Sequence, residues 1–169
     1  MMCDGLSLRK ATLADRETIY RIHVDSTTAL CGTHYSKEQL AGWFEGRSLN
    51  DYTGAIEWGG DWIAYLDQEP VGFIEFFTKT ISMLYVDSRY AGQGIGRRRL
   101  QFALSEMPGE KGRISLEALL NAVPFYERFG FQRIGEGEMR RKSGLVIKTV
   151  LMERLSGQAD CPPGYAMTS

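Results

Sequence analysis

The chain has 169 residues, with 20 Lys and Arg against 21 Asp and Glu and a formal charge of −1. This length suits one domain with a substantial core, and the even charge balance argues against a general nucleic-acid binder. No stretch approaches the roughly 20 apolar residues of a membrane span. Cys3, Cys31 and Cys161 fit neither a zinc site nor a disulfide framework, so no metal is expected and the usage suits a reducing, cytoplasmic setting. The opening MMCDGLSLRKATLADRET has no apolar signal core, which makes secretion unexpected.

LSLRKAT alternates and reads as a first strand. The period then changes. Ile19, Ile22 and His23 share a stripe, which predicts an amphipathic helix with Thr12 or Asp15 at its start. YSKEQLAGWF is a second helical segment, with Ser36 and Gln39 spaced as a capping box and Tyr35 and Leu40 as its staple. After EGRSLNDYTG the pattern turns strand-like. DWIAYLD and VGFIEFF, joined by DQEP, form an antiparallel hairpin, and the nearly all-apolar ISMLYV suits a central strand.

A glycine-rich turn and a helix from about Gly94 to Glu106 follow. PGEKG breaks the chain before the strand RISLEAL, completing a strand–helix–strand crossover. NAVPFYERFGF is a short helix with Pro124 in its first turn and Gly130 at its end. Strands at about Gln132–Met139 and Val146–Glu153 come last. The expected fold class is α+β: one mixed central sheet with antiparallel hairpins and a single crossover. Residues 1–155 form the domain, and 156–169 form a turn-rich, frayed tail.

The stretch YAGQGIGRRRL carries the chemistry. Gly92, Gly94 and Gly96 recur at intervals of two, which matches neither the dinucleotide fingerprint nor the Walker pattern. A strand, a glycine turn and a helix start together present unpaired N–H groups and a partial positive charge to a phosphate. The same glycines would also serve a purely structural turn.

MLYVDSRYAGQGIGRRRLQFAL resembles the acetyl-CoA-binding signature of the Gcn5-related N-acetyltransferase (GNAT) superfamily, and NAVPFYERFGF resembles its second signature. The resemblance covers about Leu6 to Leu155. It implies that Met83, Leu84, Tyr85 and Val86 line the pantetheine arm while the strand from Ile114 to Ala118 splays away. It implies a pyrophosphate cradle built from Ala91, Gly92, Gln93, Gly94, Ile95, Gly96, Arg97 and Arg98, with backbone N–H groups from Gln93 to Arg98 as donors. Ala91 stands where the family usually has Arg or Gln, leaving Arg89 or Arg97 to compensate. Arg97, Arg98 and Arg99 fan in three directions around a helix, so some of them face solvent.

The resemblance also counts Phe125 among the cofactor contacts and has Asn121 hold the arm or the strand ends; an N-cap role for Asn121 is equally natural. It puts Tyr126 near the CoA sulfur, where a phenol can donate as negative charge builds. The acid many relatives carry before this strand is replaced here by Ser82. Glu75, within apolar VGFIEFF, is the first candidate base, Glu117 the second and His34 the third. The segment TTALCGTHYSKEQLAGWF resembles a bacterial subgroup in which it borders the acceptor pocket. Trp43, Phe44, Tyr35 and Trp58 line that pocket or belong to the core.

The function so implied is transfer of an acetyl group from acetyl-CoA, as cosubstrate, to a small-molecule or protein amine by direct attack in a ternary complex. The alternatives are a non-catalytic acyl-CoA-binding or regulatory domain and a structural module with a vestigial cradle. No nucleic acid or membrane is an expected partner. An exposed terminal strand offers a route to a homodimer.

Overall fold

The computed structural model describes residues 5–107 and 112–157. Most of the predicted tail lies outside them. Seven strands form one sheet: β1 (Leu6–Lys10), β2 (Asp61–Leu66), β3 (Glu69–Phe77), β4 (Thr80–Val86), β5 (Arg113–Leu119), β6 (Gln132–Arg140) and β7 (Val146–Leu155). Their spatial order is β1-β2-β3-β4-β5-β7-β6. Every pairing is antiparallel except β4 with β5. That parallel pair is joined by α4 (Ile95–Glu106), the predicted crossover. The remaining helices are α1 (Arg16–Leu30), α2 (Lys37–Gly42), α3 (Thr53–Glu57) and α5 (Val123–Glu127).

Local chemistry sets several of these boundaries. The Asp15 carboxylate accepts from the Thr12 amide and hydroxyl just before α1, at 2.7 and 2.9 Å. Ser36 and Gln39 exchange the two bonds of a capping box at α2. Pro124 occupies the first turn of α5, where its missing N–H costs nothing. The segment before β2 is more helical than its sequence suggested: a 3₁₀ turn over Leu49–Tyr52 runs into α3. Its short apolar pair, Tyr52 and Ile56, anchors it in the core beneath α1.

Two apolar layers cover the sheet. On one face, α4 and α5 pack Leu100, Ala103, Val123 and Tyr126 against Ile74, Ile81, Ile114, Leu116 and Met152. On the other, α1 and α3 pack Ile19, Ile22 and Ile56 against Ile63 and Phe73, with Met83 and Tyr85 alongside. β4 changes face partway along. Glu75 pairs with Met83 and Phe76 with Ile81, so Ser82 is an extra residue. Ile81 faces α4 before this bulge; after it Leu84 and Val86 do, and Met83 and Tyr85 turn toward α1. A β-bulge bends its strand and increases local twist. Here the bend takes β4 away from β5, whose pairing with β4 ends at Thr80–Ser115 and Ile81–Leu116.

The three arginines do point in different directions: Arg97 is exposed, while Arg99 is fully buried on α4, a core role the sequence reading did not assign it. Its Nη1 donates to the carbonyls of Phe73 at 2.9 Å and Tyr85 at 2.7 Å. Gly72 makes this approach feasible: a Cβ there would lie 2.6 Å from Arg99 Cζ and 2.7 Å from the Tyr85 oxygen. Gly72→Ala should therefore lower stability by about 2–3 kcal/mol through overpacking. Combining it with Arg99→Leu should cost less than the sum of the single changes, read as a non-additive double-mutant cycle in urea unfolding. Strict additivity would show that the Gly72–Arg99 contact has no energetic consequence.

Candidate functional site

Beyond Ile81 and Leu116 the strands β4 and β5 diverge, leaving Ser82–Val86 without a β5 partner. The Asp87 amide donates to the Val71 carbonyl at 2.9 Å. By strand alternation, the backbone groups of Leu84 and Val86 therefore face the gap rather than β3. A gap edged by free strand donors and acceptors can hold an extended amide chain as a strand would. The first turn of α4 lies over its mouth: a Cβ on Gly96 would touch Phe125, Val86 and Leu84 at 3.6–3.7 Å. Leu84, Val86, Gly96 and Phe125 thus come together as the sequence suggested. Ile95, by contrast, is buried against Ala64 and Val71, and contributes backbone alone.

The glycine loop supplies the donors. Gly92 and Gly94 have φ of +77° and +81°, and Gly94 is the N-cap of α4. A Cβ at either would meet nothing within 4 Å, so backbone conformation rather than space calls for glycine there. The first amide to bond back into the helix is that of Arg98, to the Gly94 carbonyl at 3.1 Å. This removes the Arg98 amide from the expected cradle and leaves the amides of Ile95, Gly96 and Arg97 without an intrahelical acceptor. Ala91, Gly92, Gln93 and Gly94 are exposed, as is Arg97.

The loop is tied down by charge. Asp87, 1% exposed, accepts from Arg21 and from both the backbone and guanidinium of Arg89. Ser88 donates its amide and hydroxyl to Asp25 of α1. Arg89 is therefore committed to Asp87 and does not compensate for Ala91. These hydrogen bonds, that of Arg89 foremost, hold the Asp87 carboxyl down at about 2.

The candidate side chains for proton transfer separate clearly. Tyr126 is buried on α5 between Phe125 and Phe131. Burial pushes its phenol up, with Arg99 acting in the opposite direction, so the phenol stays protonated at neutral pH. Glu75 is 7% exposed and sits opposite the β4 bulge. Burial raises its carboxyl, while a hydrogen bond with Ser82 and the charge of Arg47 work the other way. Glu117 is exposed and accepts from Thr149. It lines an open groove of about 480 Å³ with Ser82, Ser115, Ile134 and Leu151. His34 lies exposed in the α1–α2 loop, 2.9 Å from the Thr33 hydroxyl, and none of the described contacts joins it to this group.

Asn121 does not cap α5, whose N-cap is Ala122. Its amide instead donates to the Leu30 carbonyl and accepts from Cys31, both at 3.4 Å, joining the end of α1 to the end of β5. Burial lifts the Cys31 thiol to about 11, so it is no thiolate at neutral pH. Trp43 and Tyr35 are core. Trp58 is 84% exposed and outside the pocket proposed for it.

Three polar groups, Asp61, Arg47 and Arg141, escaped the sequence reading, and a fourth, His23, is buried as its place on the α1 stripe suggested. Asp61, the β2 partner of Glu75, is 1% exposed with both carboxylate oxygens unpartnered. Burial and the Glu75 charge lift it to about 7. His23 is buried against Tyr85, with ring centroids 4.1 Å apart, and held down at about 3, chiefly by burial. Arg47 and Arg141 lie within electrostatic reach of both His23 and Tyr85. Isolated charges in loops give no sequence signal for such convergence. Among the described residues no group of His, Cys, Asp and Glu could hold a metal, and no helix is long and apolar enough to cross a membrane.

Residues 31–154 match the family model for the acetyltransferase (GNAT) domain. The uncharacterized N-acetyltransferase YafP of Escherichia coli is 25% identical over 131 residues, 78% of this chain and 84% of the relative. The peptidyl-lysine N-acetyltransferase YjaB of Salmonella typhimurium is 37% identical over 79 residues, 46% of this chain and 54% of its own length. A Gcn5-related N-acetyltransferase from Rhodopseudomonas palustris superposes with a TM-score of 0.79 at 23% identity, covering 91% of this chain and 98% of that one. The PaiA N-acetyltransferase of Thermoplasma acidophilum, solved with coenzyme A, gives 0.66 at 21%, covering 89% and 99%. At these identities the two structures establish the fold.

The Asp87 carboxyl sits below its ordinary value of 3.8. Its contribution to stability is therefore complete above that value and is lost as pH falls toward 2. Asp15, held at about 2 chiefly by Arg9, adds a second component of the same sign. In thermal melts from pH 6 to pH 2, Asp87→Asn should start lower and show a shallower acid decline than the parent, retaining the Asp15 component. Identical slopes would remove Asp87 from the loop's support.

Proposed function

The chain belongs to the acetyltransferase (GNAT) domain family, and on that premise we propose that it moves the acetyl group of acetyl-CoA directly onto an amine in a ternary complex. The observation that carries this reading is the wedge between β4 and β5, with the glycine loop and the free end of α4 at its mouth. The wedge suits the amide-bearing pantetheine arm, and the amides of Ile95, Gly96 and Arg97 suit the pyrophosphate. The relative solved with coenzyme A shares this fold.

The residues divide the proton work. An amine with an ordinary pKa near 10.4 must lose a proton to attack. Glu75, its carboxyl raised by burial, accepts it. As the carbon–nitrogen bond forms and the carbon–sulfur bond breaks, Tyr126 donates a proton to the departing thiolate. Its raised pKa keeps the proton in place until negative charge develops on sulfur. Glu117 borders the open groove and contributes to acceptor contact. One relative is named a peptidyl-lysine N-acetyltransferase; its similarity covers less than half of this chain, so protein and small-molecule amines both stand as acceptors. A non-catalytic acyl-CoA binder is favoured by one feature, the replacement of the usual strand acid by Ser82.

Calorimetry with acetyl-CoA, against adenosine diphosphate, tests the wedge. Saturable binding should weaken at least about tenfold in Gly94→Val, because a β-branched residue does not adopt its φ of +81° readily. No binding by folded parent protein would overturn the reading. Thiol release tests the chemistry. Tyr126→Phe should lower kcat about 10- to 100-fold with little change in acetyl-CoA KM. The parent's kcat/KM should rise with pH through the elevated Glu75 range, and Glu75→Gln should lose that limb. An unchanged profile would take the base role from Glu75.

A further inference from the structure

Four elements meet above Tyr85, on the α1 side of the sheet. His23 comes from α1, Phe44 and Arg47 from the segment after α2, Tyr85 from β4, and Arg141 from the β6–β7 hairpin. Arg47 Cζ stands 5.7 Å from the Tyr52 ring centroid, and the Tyr52 hydroxyl lies 2.9 Å from His23 Nδ1. The hairpin bearing Arg141 folds onto α2: a Cβ on Gly42 would lie 2.7 Å from Leu145. Phe44, Arg47, Tyr85 and Arg141 each retain partial exposure. The cluster is therefore open to solvent, as a shallow cleft would be, rather than sealed in a core.

The charges of this cleft are unbalanced. Arg47 and Arg141 are near enough for the first to disfavour the charge of the second. Among the described residues neither has a carboxylate within ion-pairing distance. The neighbouring acids have other partners: Asp51 accepts from the Ser48 amide and hydroxyl, and Glu75 is bonded by Ser82. Arg141 Nε and His23 Nε2 are buried without a hydrogen-bond partner. Folding brings two cations and two unsatisfied nitrogens together, although each such burial is costly. A bound anion would offset the repulsion of the two cations and give the Arg141 Nε–H an acceptor, and a guanidinium pair is suited to a carboxylate.

We infer that the acceptor is a small amine carrying its own carboxylate, of the amino-acid class, with that carboxylate held between Arg47 and Arg141. This rests on the acetyl-transfer reading and specifies its acceptor. Glu75 pairs with Met83 and by strand alternation shares the face of Phe73, on which Met83 and Tyr85 also pack, and the Arg47 charge reaches it, so the carboxylate end and the proton acceptor for the amine end lie on one face.

The test uses the full chain, acetyl-CoA and free L-amino acids, each paired with its own carboxamide, plus a blocked lysyl peptide amide. Thiol release and product mass are the readouts. The best amino acid should exceed its carboxamide in kcat/KM by at least about tenfold. Arg47→Gln and Arg141→Gln should each cut the acid-over-carboxamide ratio of kcat/KM about tenfold or more, chiefly by raising the KM of the acid. Thermal midpoints of both variants should hold or rise, since each removes a repelling cation; a fall in both would mark the pair as structural and overturn the proposal. Equal use of carboxamides, or preference for the lysyl peptide untouched by either variant, would overturn it too.

If no amine is acetylated, calorimetry with acetyl-CoA separates the two readings. Binding of acetyl-CoA without acid-selective saturation-transfer signals from the amino acids keeps the cofactor reading and overturns the carboxylate site. Acid-selective signals lost in Arg141→Gln, in a protein that does not bind acetyl-CoA, keep the site and overturn the cofactor reading.

Discussion

One extra residue in one strand sets up the site. Ser82 has no partner on β3, and around it β4 changes which side chains face which layer. Without the bulge, Met83 and Tyr85 would continue the face of Ile81 toward α4, and β4 would remain parallel to β5. With it, Leu84 and Val86 turn toward α4 and α5, Tyr85 turns toward α1, and the strand bends out of hydrogen-bonding range of β5. The gap, its apolar lining and the floor of the proposed acceptor cleft share this origin. Glu75 stands opposite the same point, bonded by the extra residue's hydroxyl. The bulge thus couples the position of the proposed base to the opening of the wedge.

Two kinds of charge stand at different places in the molecule. On the glycine-loop side, acids and bases are matched: Asp87 takes Arg21 and Arg89, and Asp25 takes Ser88. These bonds fix a loop whose backbone amides then carry the available positive charge. Around Tyr85, Arg47 and Arg141 converge without an ion-pair partner, Glu75 being the acid that the Arg47 charge reaches. Matched charge gives rigidity and stays with the protein, whereas unmatched charge at a partly exposed surface is free to act on a ligand. Arg99 is a third arrangement, a cation enclosed by backbone carbonyls. Burial lowers it to about 9, still charged at neutral pH, and it lies near enough to act on the Tyr126 phenol.

Much of this was legible in the sequence, and the reasons differ by feature. Periodicity and turn chemistry gave the strands, α1, α4 and the crossover, because they depend on local spacing. The glycine loop was legible because φ > 0 at Gly92 and Gly94 has few other solutions. The bulge was not, since an extra residue inside an apolar strand leaves the composition unchanged. Arg99 read as one of three arginines shared between ligand and solvent; its burial depends on Gly72, 27 positions earlier and on another element. Asn121 read as a cap because a local role suffices for Asn before a helix, but its partners are Leu30 and Cys31.

The acceptor cleft shows where such reading ends for a physical reason. Its groups come from α1, the segment after α2, β4 and the last hairpin, spanning residues 23 to 141. No two of its charged members share an element, so no spacing rule links them. What reveals them is an energetic imbalance visible after folding: buried nitrogens without acceptors and like charges without a counter-charge. The cofactor side is built largely from backbone, which a short motif can encode. The acceptor side is built from side chains on separate elements, so substitutions at Arg47 or Arg141 could alter the acceptor without disturbing the wedge. Division of labour between a motif-encoded half and an assembled half lets one fold keep one donor while its acceptors vary.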